Sequence, residues 1–348
     1  MHINMNLEGI RIVRTDAEIE CPAIDTALRD AGAELILLQG GIDSSALGNA
    51  LAQADLLLMC YTPITAELIT GAKHLRGIVK YGVGIDAIDI DAATAAGIPV
   101  VNVPEYAEQT VAEGAFCLML SLMKRLIPMH RTMQNQGWFD PTCSWSGHDI
   151  HNKCIAVIGT GRIGCAFARM AGQGFGANVI GYDPYVDSDT MATAGIRKVD
   201  DLHALLGEAD VVSMHTVLTP STTGMFGSAE FAAMKRKPVF INVSRGALVD
   251  EQALINSLDQ GQISAAGLDV YCDEPLNRST HHLATLFDRD NVILLPHVTF
   301  HTHEAMHRLS EDTLARCVEI LNGERLTIRS SDPRLRAQSG VLDVTIVD

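Results

Sequence analysis

The chain has 348 residues, a length typical of two domains that each bury their own core. Apolar residues make up 47% of it and charged residues 20%, which excludes disordered, collagen-like and disulfide-dense proteins. The formal net charge of −16 disfavours nucleic acid as a partner, because such a surface repels a phosphate backbone. Every apolar stretch is far shorter than the roughly 20 residues of a spanning helix, so we expect no membrane partner.

The N-terminal sequence MHINMNLEGI has neither the apolar core of a secretion signal nor the arginines of a transit peptide. None of the eight cysteines lies at a Cys-x-x-Cys spacing, which favours reduced and mostly buried thiols. These two features together predict a cytoplasmic protein.

Short apolar runs alternate with helical patterns over the first hundred residues. The runs GIRIVR, ELILLQ, DLLLMCY, GIVKYG and IPVVNV predict strands. Helices are predicted between them, at residues 22–32, 45–54, 65–73 and 89–97. This alternation is typical of a parallel sheet that is covered by helices on both faces.

One long helix is predicted from Thr110 to about Met133, because apolar residues recur there at helical spacing. The next segment, NQGWFDPTCSWSGHDIHNK, is rich in Gly, Pro, Ser and Asn and is predicted to be a long loop. Its tryptophans, Trp138 and Trp145, either cover apolar surface of the same chain or contact a neighbouring molecule.

A second alternating series begins at residue 154. Its runs CIAVIG, NVIGYD, DVVSMHT, PVFINVS, ISAAGLDV and VILLPHV predict a complete doubly wound, dinucleotide-binding sheet. A further helix is predicted from His303 to about Asn322, with Gly323 as its C-terminal cap. Near the end of the chain, Leu342 to Ile346 alternate like a half-buried strand.

Three glycines follow the first strand of this second series, in IAVIGTGRIG. Gly159 permits a tight turn, Gly161 lets the backbone approach a pyrophosphate, and Gly164 allows close helix packing. Asp183 ends the next strand, at a position from which a carboxylate accepts hydrogen bonds from an adenosine ribose. Neither Arg nor Lys stands beside Asp183, which favours NAD over NADP as the cofactor.

Three further polar residues follow later strands of the same series: Arg245 in NVSRGALVDE, Glu274 in GLDVYCDEP and His297 in LLPHVTFHTHEA. The carboxyl ends of strands in an open α/β sheet face the ligand crevice. A guanidinium can bind a carboxylate in bidentate fashion, and a carboxylate favours the protonated form of a neighbouring imidazole. Arg245, Glu274 and His297 are therefore predicted to act together in reducing a carbonyl group.

These motifs, in this order, resemble the D-isomer-specific 2-hydroxyacid dehydrogenases over roughly residues 77–322. YGVGIDAID, NVPEYAEQTVAE and VVSMHTVLTPST carry the similarity together with the motifs above. The resemblance implies an α/β protein with two doubly wound parallel sheets, in which a Rossmann-type NAD domain is inserted in a flavodoxin-like substrate domain. The expected bounds are 1–108 with 300–335 for the substrate domain, 109–299 for the NAD domain and 336–348 for a C-terminal tail.

The resemblance also implies roles for individual residues. Arg245 is expected to bind the 2-keto acid, His297 to donate and accept the proton, and Glu274 to pair with His297. Backbone amides near Val83 and Gly84 are expected to hold the substrate carboxylate. Asp269 is expected to lie near the nicotinamide amide. The other residues expected to line the cofactor are Thr110, Arg162, Ile163, Thr216, Val243 and Ser244.

The resemblance predicts an NAD-dependent oxidoreductase that transfers a hydride between NAD(H) and C2 of a small D-2-hydroxy acid or 2-keto acid. The loop Met59–Thr62 contains no arginine, which disfavours a phosphorylated substrate. Tyr61 and Phe300 are expected to form an apolar wall instead. Two alternatives stay open: a phosphoglycerate dehydrogenase, and an NAD-binding, corepressor-like scaffold of the same fold.

The sequence predicts no metal site. His303 and His307 have the i, i+4 spacing of a ligand pair, but no set of carboxylates or thiols accompanies them. The resemblance also implies a homodimer, in which residues 110–150 are expected to carry most of the contact. The strand at 342–346 is expected to add to a sheet edge of its own subunit or of its partner.

Overall fold

The computed structural model describes residues 6–138 and 146–347. The chain divides into two units, Met1–Ala107 with Thr302–Asp348, and Glu108–His301. The second unit is therefore an insertion in the sequence of the first. Trp145, which the sequence singled out, lies outside the described residues.

The strands are short and pair in parallel within three sheets. In chain order they are β1 (Arg11–Arg14), β2 (Glu34–Leu37), β3 (Leu56–Met59), β4 (Gly77–Lys80), β5 (Val100–Asn102), β6 (Cys154–Ile158), β7 (Asn178–Tyr182), β8 (Arg197–Lys198), β9 (Val211–Met214), β10 (Val239–Asn242), β11 (Ala265–Leu268), β12 (Val292–Leu294), β13 (Leu326–Ile328) and β14 (Val344–Ile346).

The α-helices lie mostly between successive strands. In chain order they are α1 (Pro22–Asp30), α2 (Ser44–Leu51), α3 (Ala66–Gly71), α4 (Ile90–Ala95), α5 (Glu108–Met123), α6 (Leu126–Gln136), α7 (Arg162–Arg169), α8 (Ser188–Thr193), α9 (Leu202–Glu208), α10 (Ser228–Ala233), α11 (Glu251–Asp259), α12 (His303–Asn322) and α13 (Pro333–Ala337). Shorter 3₁₀ turns include Gly246–Leu248 and His282–Leu286.

The five-stranded sheet of the first unit has the order β2–β1–β3–β4–β5. Strands β3 and β4 are buried along their whole length, as expected where helices cover both faces of a parallel sheet. Met59 lies opposite Lys80 in the register of these two strands, which brings the residues after each strand to one edge. This is the flavodoxin-like order, and it confirms the predicted fold class.

The second unit has a seven-stranded sheet in the order β12–β11–β10–β9–β6–β7–β8. From β6 the strands are added outward to β7 and β8 on one side, and from β9 they are added outward to β12 on the other. The boundary between β6 and β9 is therefore the topological switch point of a doubly wound dinucleotide-binding sheet. All six strands predicted for this region are present. Strand β8 was not predicted, because its two residues, Arg197 and Lys198, give no apolar pattern.

The prediction of one helix from Thr110 to about Met133 is wrong. Helix α5 ends at Met123, α6 begins at Leu126, and Arg125 between them adopts a left-handed φ of 53°. Pro128 gives the physical reason, because an unbroken helix would need the N–H that proline lacks. The several apolar faces of α5 pack against α7, β10 and β11 within the second unit.

The chain after α12 packs into the first unit. Gly323 ends α12 with a left-handed φ of 68°, as predicted. Strand β14 pairs with β13 in a separate two-stranded sheet, and not with the edge of either larger sheet. The buried Gln338 side chain accepts a hydrogen bond from the Val100 N–H and donates one to its carbonyl, both at 2.9 Å.

Candidate active site

Most of the residues predicted for catalysis and cofactor binding lie just after strands of the seven-stranded sheet. Parallel strands bring these positions to one edge of the sheet. They are Gly159 after β6, Asp183 after β7, Thr216 after β9, Val243, Ser244 and Arg245 after β10, Asp269 after β11, and His297 after β12.

The glycine turn after β6 fits an approaching phosphate. Gly159 has a φ of +88°, and a Cβ there would lie 2.7 Å from the His215 carbonyl oxygen. A Cβ on Gly164 would collide with the carbonyl of Gly159, so helix α7 can pack closely only with glycine here. A Cβ on Gly161 would meet no atom within 4 Å. The start of α7 therefore offers backbone N–H groups beside open space, as a dinucleotide pyrophosphate requires.

Asp183 lies against this glycine turn. Its Oδ2 accepts a hydrogen bond from the Thr160 N–H, and its Oδ1 accepts one from the Tyr185 N–H, both at 3.0 Å. An ionised carboxylate has about four acceptor positions, so Asp183 retains capacity for ribose hydroxyls. The glycine turn and Asp183 together form a donor and acceptor set that fits NAD.

Arg245 occupies a turn that is held by a neighbouring buried amide. Asn242, 1% exposed, donates through Nδ2 to the Arg245 carbonyl at 2.9 Å and accepts from the Ser244 N–H at 3.0 Å. The Ser244 hydroxyl donates to the Met214 carbonyl of β9 at 2.8 Å. A Cβ on Gly246 would collide with the Tyr271 and Cys272 backbone, so this turn packs directly on the loop leading to Glu274.

Glu274 and His297 form a hydrogen-bonded pair. Oε2 of Glu274 lies 2.8 Å from Nδ1 of His297, and Oε1 accepts from the Tyr271 N–H at 2.9 Å. Burial alone would raise the pKa of Glu274, but its bonds to His297 and Tyr271 and the nearby Arg245 charge hold that pKa below its ordinary value. Glu274 is therefore an acceptor only, and His297 must donate through Nδ1.

The backbone at His297 is strained, and hydrogen bonds to Asp269 fix the residues that follow it. Its φ of 57° is left-handed, which is uncommon for a residue with a side chain. Buried Asp269 accepts hydrogen bonds from the Val298 N–H at 2.8 Å and from the Thr299 N–H and hydroxyl at 3.0 and 2.6 Å. These three bonds fix the chain directly after His297.

The other residues predicted for this site have defined surroundings. The Thr216 hydroxyl donates to the Ile158 carbonyl at 3.1 Å, and Arg162 pairs with Glu108 at 3.2 Å at the start of α7. The Phe300 ring meets the His297 ring edge-on, with centroids 6.4 Å apart. Further predicted residues, Thr110 in α5, Ile163 in α7 and buried Val243, belong to the same unit.

Tyr61, Val83 and Gly84 belong to the first unit and lie after β3 and β4. The Asn102 amide donates to the Val83 carbonyl at 2.7 Å. Lys80 ends β4, and its Nζ lies 5.0 Å from the centroid of the Tyr61 ring. Lys80 thus brings a cation from the neighbouring strand to the loop Met59–Thr62, whose own sequence contains none.

His215, directly after β9, is a further residue that the sequence did not single out. Its Nε2 lies 2.9 Å from the Ser213 hydroxyl, and its Nδ1 is buried without a hydrogen bond among the described residues. Burial lowers the pKa of His215 to about 3. The ring is therefore neutral at ordinary pH.

Glu251, His281 and His282 form a cluster with ligand atoms within 4.8 Å of one another. Glu251 is buried, and its Oε2 lies 2.6 Å from Nε2 of His282. Nδ1 of His281 accepts the Leu283 N–H at 3.1 Å, so the neutral ring carries its proton on Nε2. In this arrangement His281 presents a donor to the cluster, and not the free lone pair of a metal ligand.

Residues 116–299, which contain Arg245, Glu274 and His297, match the NAD binding domain of the D-isomer specific 2-hydroxyacid dehydrogenases. The chain belongs to this family. Both the family and the NAD-binding domain predicted from the sequence are thereby confirmed. Among the helices of residues 6–138 and 146–347, none is both long enough and apolar enough to span a bilayer.

Individual relatives cover the chain to different extents. It is 36% identical over 285 residues to a D-3-phosphoglycerate dehydrogenase of Methanocaldococcus jannaschii, across 82% of this chain and 53% of that protein. It is 35% identical over 267 residues to a glyoxylate reductase of Korarchaeum cryptofilum, across 75% and 78% respectively. The chain thus spans about half the length of its phosphoglycerate dehydrogenase relatives.

The chain is also similar in fold to enzymes whose structures have been solved. The crystal structure of D-lactate dehydrogenase from Aquifex aeolicus, complexed with NAD and lactic acid, aligns with a TM-score of 0.81 at 29% identity. The alignment covers 90% of this chain and 96% of that one. The two share one fold over almost the whole length of the enzyme.

Proposed function

We propose that this 2-hydroxyacid dehydrogenase family member transfers a hydride between NAD(H) and C2 of a small D-2-hydroxy acid or the corresponding 2-keto acid. The observation that carries the proposal is the Glu274–His297 pair, 2.8 Å apart, at the sheet edge that also bears Arg245 and the glycine turn. The named relatives support it, because they include a glyoxylate reductase and a D-lactate dehydrogenase.

Each of the three side chains has a separate task in this proposal. Arg245 binds the substrate carboxylate and polarises the carbonyl, since its guanidinium is always charged. His297 donates through Nδ1 to Glu274, which leaves Nε2 to give a proton to the substrate oxygen or to take it back. Glu274 stabilises the protonated imidazole. NADH, when bound, supplies the hydride that reaches C2.

The substrate is proposed to be a small, unphosphorylated 2-keto acid that also contacts Tyr61, Val83, Gly84 and Phe300. A phosphoglycerate dehydrogenase is the second candidate, because several relatives at 36% identity carry that name. The corepressor-like scaffold differs from both in requiring no turnover. One assay on the same protein preparation can distinguish the three candidate functions.

The test is absorbance at 340 nm with NADH and a panel of 2-keto acids that includes pyruvate, glyoxylate and the keto acid of 3-phosphoglycerate. We expect turnover on an unphosphorylated member of the panel. Turnover confined to the phosphorylated acid would support the second candidate. Binding of NADH without turnover on any acid would contradict the proposed function and favour a scaffold.

The proposal includes a homodimer, a cytoplasmic location and the domain bounds expected from the sequence. Four large apolar side chains in the segment expected to carry the dimer contact are exposed: Leu126, Ile127, Met133 and Trp138. The described cysteines are free thiols, which suits a reducing compartment. Residues 1–108 with 300–335 are proposed to form the substrate domain and residues 109–299 the NAD domain.

A further inference from the structure

Lys80 and Cys60 lie side by side at the carboxyl edge of the five-stranded sheet. Lys80 is the last residue of β4, and Cys60 directly follows β3, its neighbour in the sheet. Nζ of Lys80 donates a hydrogen bond to Sγ of Cys60 at 3.0 Å. Both residues are buried, with 4% and 7% of their surfaces exposed.

The Lys80 amine has unusual surroundings for a buried cation. Buried ammonium groups normally pair with a carboxylate, because an uncompensated charge is costly to remove from water. Among the described residues, Lys80 contacts the Cys60 sulfur and the face of the Tyr61 ring, and no ion pair joins it to a carboxylate. The Asp16 carboxylate nearby is occupied by the Cys60, Tyr61 and Thr62 N–H groups.

Nζ of Lys80 donates to Sγ of Cys60, and the Cys60 thiol also lies 3.5 Å from the Tyr81 carbonyl oxygen, so a proton can pass between nitrogen and sulfur. Loss of one proton from the pair leaves either a thiolate beside an ammonium or a thiol beside a neutral amine. Each form contains one strong nucleophile, and a proton transfer over 3.0 Å converts one into the other. A separation of about 3–3.5 Å is also that of reacting atoms poised for bond formation.

We propose that Cys60 and Lys80 are a modification site, at which a hydroperoxide such as hydrogen peroxide forms a covalent bond between Sγ and Nζ. The Cys60 thiolate first attacks the peroxide, whose O–O bond breaks, and the Lys80 ammonium protonates the leaving hydroxide, to give a sulfenic acid, water and a neutral Lys80 amine. The neutral Lys80 amine then attacks this sulfur, the S–O bond breaks, and a second water leaves. Sulfur is oxidised by two electrons, the peroxide is reduced, and the cross-linked chain has lost two hydrogens.

The bond joins the ends of β3 and β4, next to Tyr61 and close in sequence to Val83 and Gly84. Oxidation is therefore expected to raise the KM for the 2-keto acid while NADH affinity, which belongs to the other unit, is unchanged. This consequence rests on the proposed function, whereas the cross-link does not. Failure of the proposed function would leave the chemical test intact.

The test is a peptide map of the full chain before and after hydrogen peroxide. We expect the Cys60 and Lys80 peptides to appear joined, about 2 Da lighter than their sum, and to separate again on treatment with dithiothreitol. The exposed thiol of Cys117 serves as an internal control, which should gain oxygen without joining a lysine. This measurement needs no substituted protein.

Two variants sharpen the test. Lys80→Arg keeps a cation but removes the amine nucleophile, so Cys60 should stop at the sulfenic acid and be trapped by dimedone. Cys60→Ser should show no link at Lys80. A wild-type Cys60 that gains oxygen without joining Lys80, or that stays reduced while Cys117 oxidises, would overturn the proposal. A joined peptide about 14 Da heavier than the sum would overturn the direct S–N bond.

Discussion

Two buried side chains, which are not themselves proposed to react, fix the backbone of the residues that are. Asn242 holds the carbonyl of Arg245, and Asp269 holds the two residues after His297. Their bonds orient the backbone from which the Arg245 and His297 side chains project. Precise placement of such groups contributes strongly to catalysis, so these backbone contacts are consistent with the proposed function.

Replacing Arg245 by Lys should lower kcat/KM about 10- to 100-fold although the charge is kept. A lysine ammonium cannot reproduce the two parallel hydrogen bonds that a guanidinium gives to a carboxylate. The measurement is steady-state NADH oxidation with the best 2-keto acid of the panel.

Arg236→Lys is the matched control, because Arg236 is largely exposed and pairs with Asp210 at 3.5 Å on the surface of the same unit. It should leave kcat/KM unchanged. An Arg245→Lys enzyme with most of its activity would show that Arg245 does not bind the carboxylate as proposed.

His215 should make the protein less stable as the pH falls below about 6.5. Burial holds the pKa of His215 in the folded protein at about 3, so below pH 6.5 the unfolded chain takes up a proton that the folded chain does not. Between pH 7 and pH 5 this difference is worth about 2 kcal/mol in the free energy of unfolding. Urea denaturation of wild type and His215→Gln at these two pH values measures it.

The Gln variant should lose this part of the pH dependence. His74→Gln, at an exposed histidine, should keep it. Identical pH dependence in wild type and His215→Gln would mean that His215 is accessible to protons in the folded protein.

At the scale of elements, the sequence predicted most strands and helices because their apolar periodicity is strong. Strands β3 and β4 read as continuous apolar runs, since both of their faces are buried. The break between α5 and α6 was missed because the apolar spacing continues through it while Pro128 interrupts the hydrogen bonding. Strand β8 is held by its pairing with β7, which periodicity along the chain does not reveal.

The pairing of Gln338 with β5 is also a tertiary contact that no local pattern predicts. Replacing Gln338 by Leu should lower the free energy of unfolding by about 1–3 kcal/mol, because the buried N–H and carbonyl of Val100 lose their partners. Gln252→Leu, at a glutamine exposed on α11, is the control and should change it little. Equal stability of the two variants would contradict this role of Gln338.

At the scale of the whole molecule, the sequence located the proposed catalytic residues more fully than the side chains around them. Arg245, Glu274 and His297 could be found because each follows a strand of one parallel sheet, whose topology brings the strand ends together. Lys80 and His215 could not be found in this way. Lys80 contacts Cys60 and Tyr61, which follow a neighbouring strand of the sheet. The low pKa of His215 results from burial, which the sequence alone does not show.

The intact protein is expected to be a dimer, twice the chain mass of 37.5 kDa by light scattering. The exposed apolar side chains of α6, together with Trp138, form the surface that we expect the dimer contact to bury. Leu126→Glu should then give a monomer, because a charge would be placed in the interface. Val341→Glu, at an apolar residue that is more exposed than Leu126 and lies outside this surface, should leave the dimer intact. A monomeric wild-type protein would contradict this part of the proposal.

His297, oriented by Glu274, is proposed to transfer the proton that accompanies hydride transfer. The most direct test compares kcat of wild type and His297→Ala on the best 2-keto acid, together with NADH affinity by fluorescence titration. His307→Ala, at an exposed histidine of α12, controls for loss of a histidine elsewhere. We expect kcat to fall about 10²- to 10⁴-fold in His297→Ala while NADH affinity is retained. Turnover close to that of wild type would contradict it.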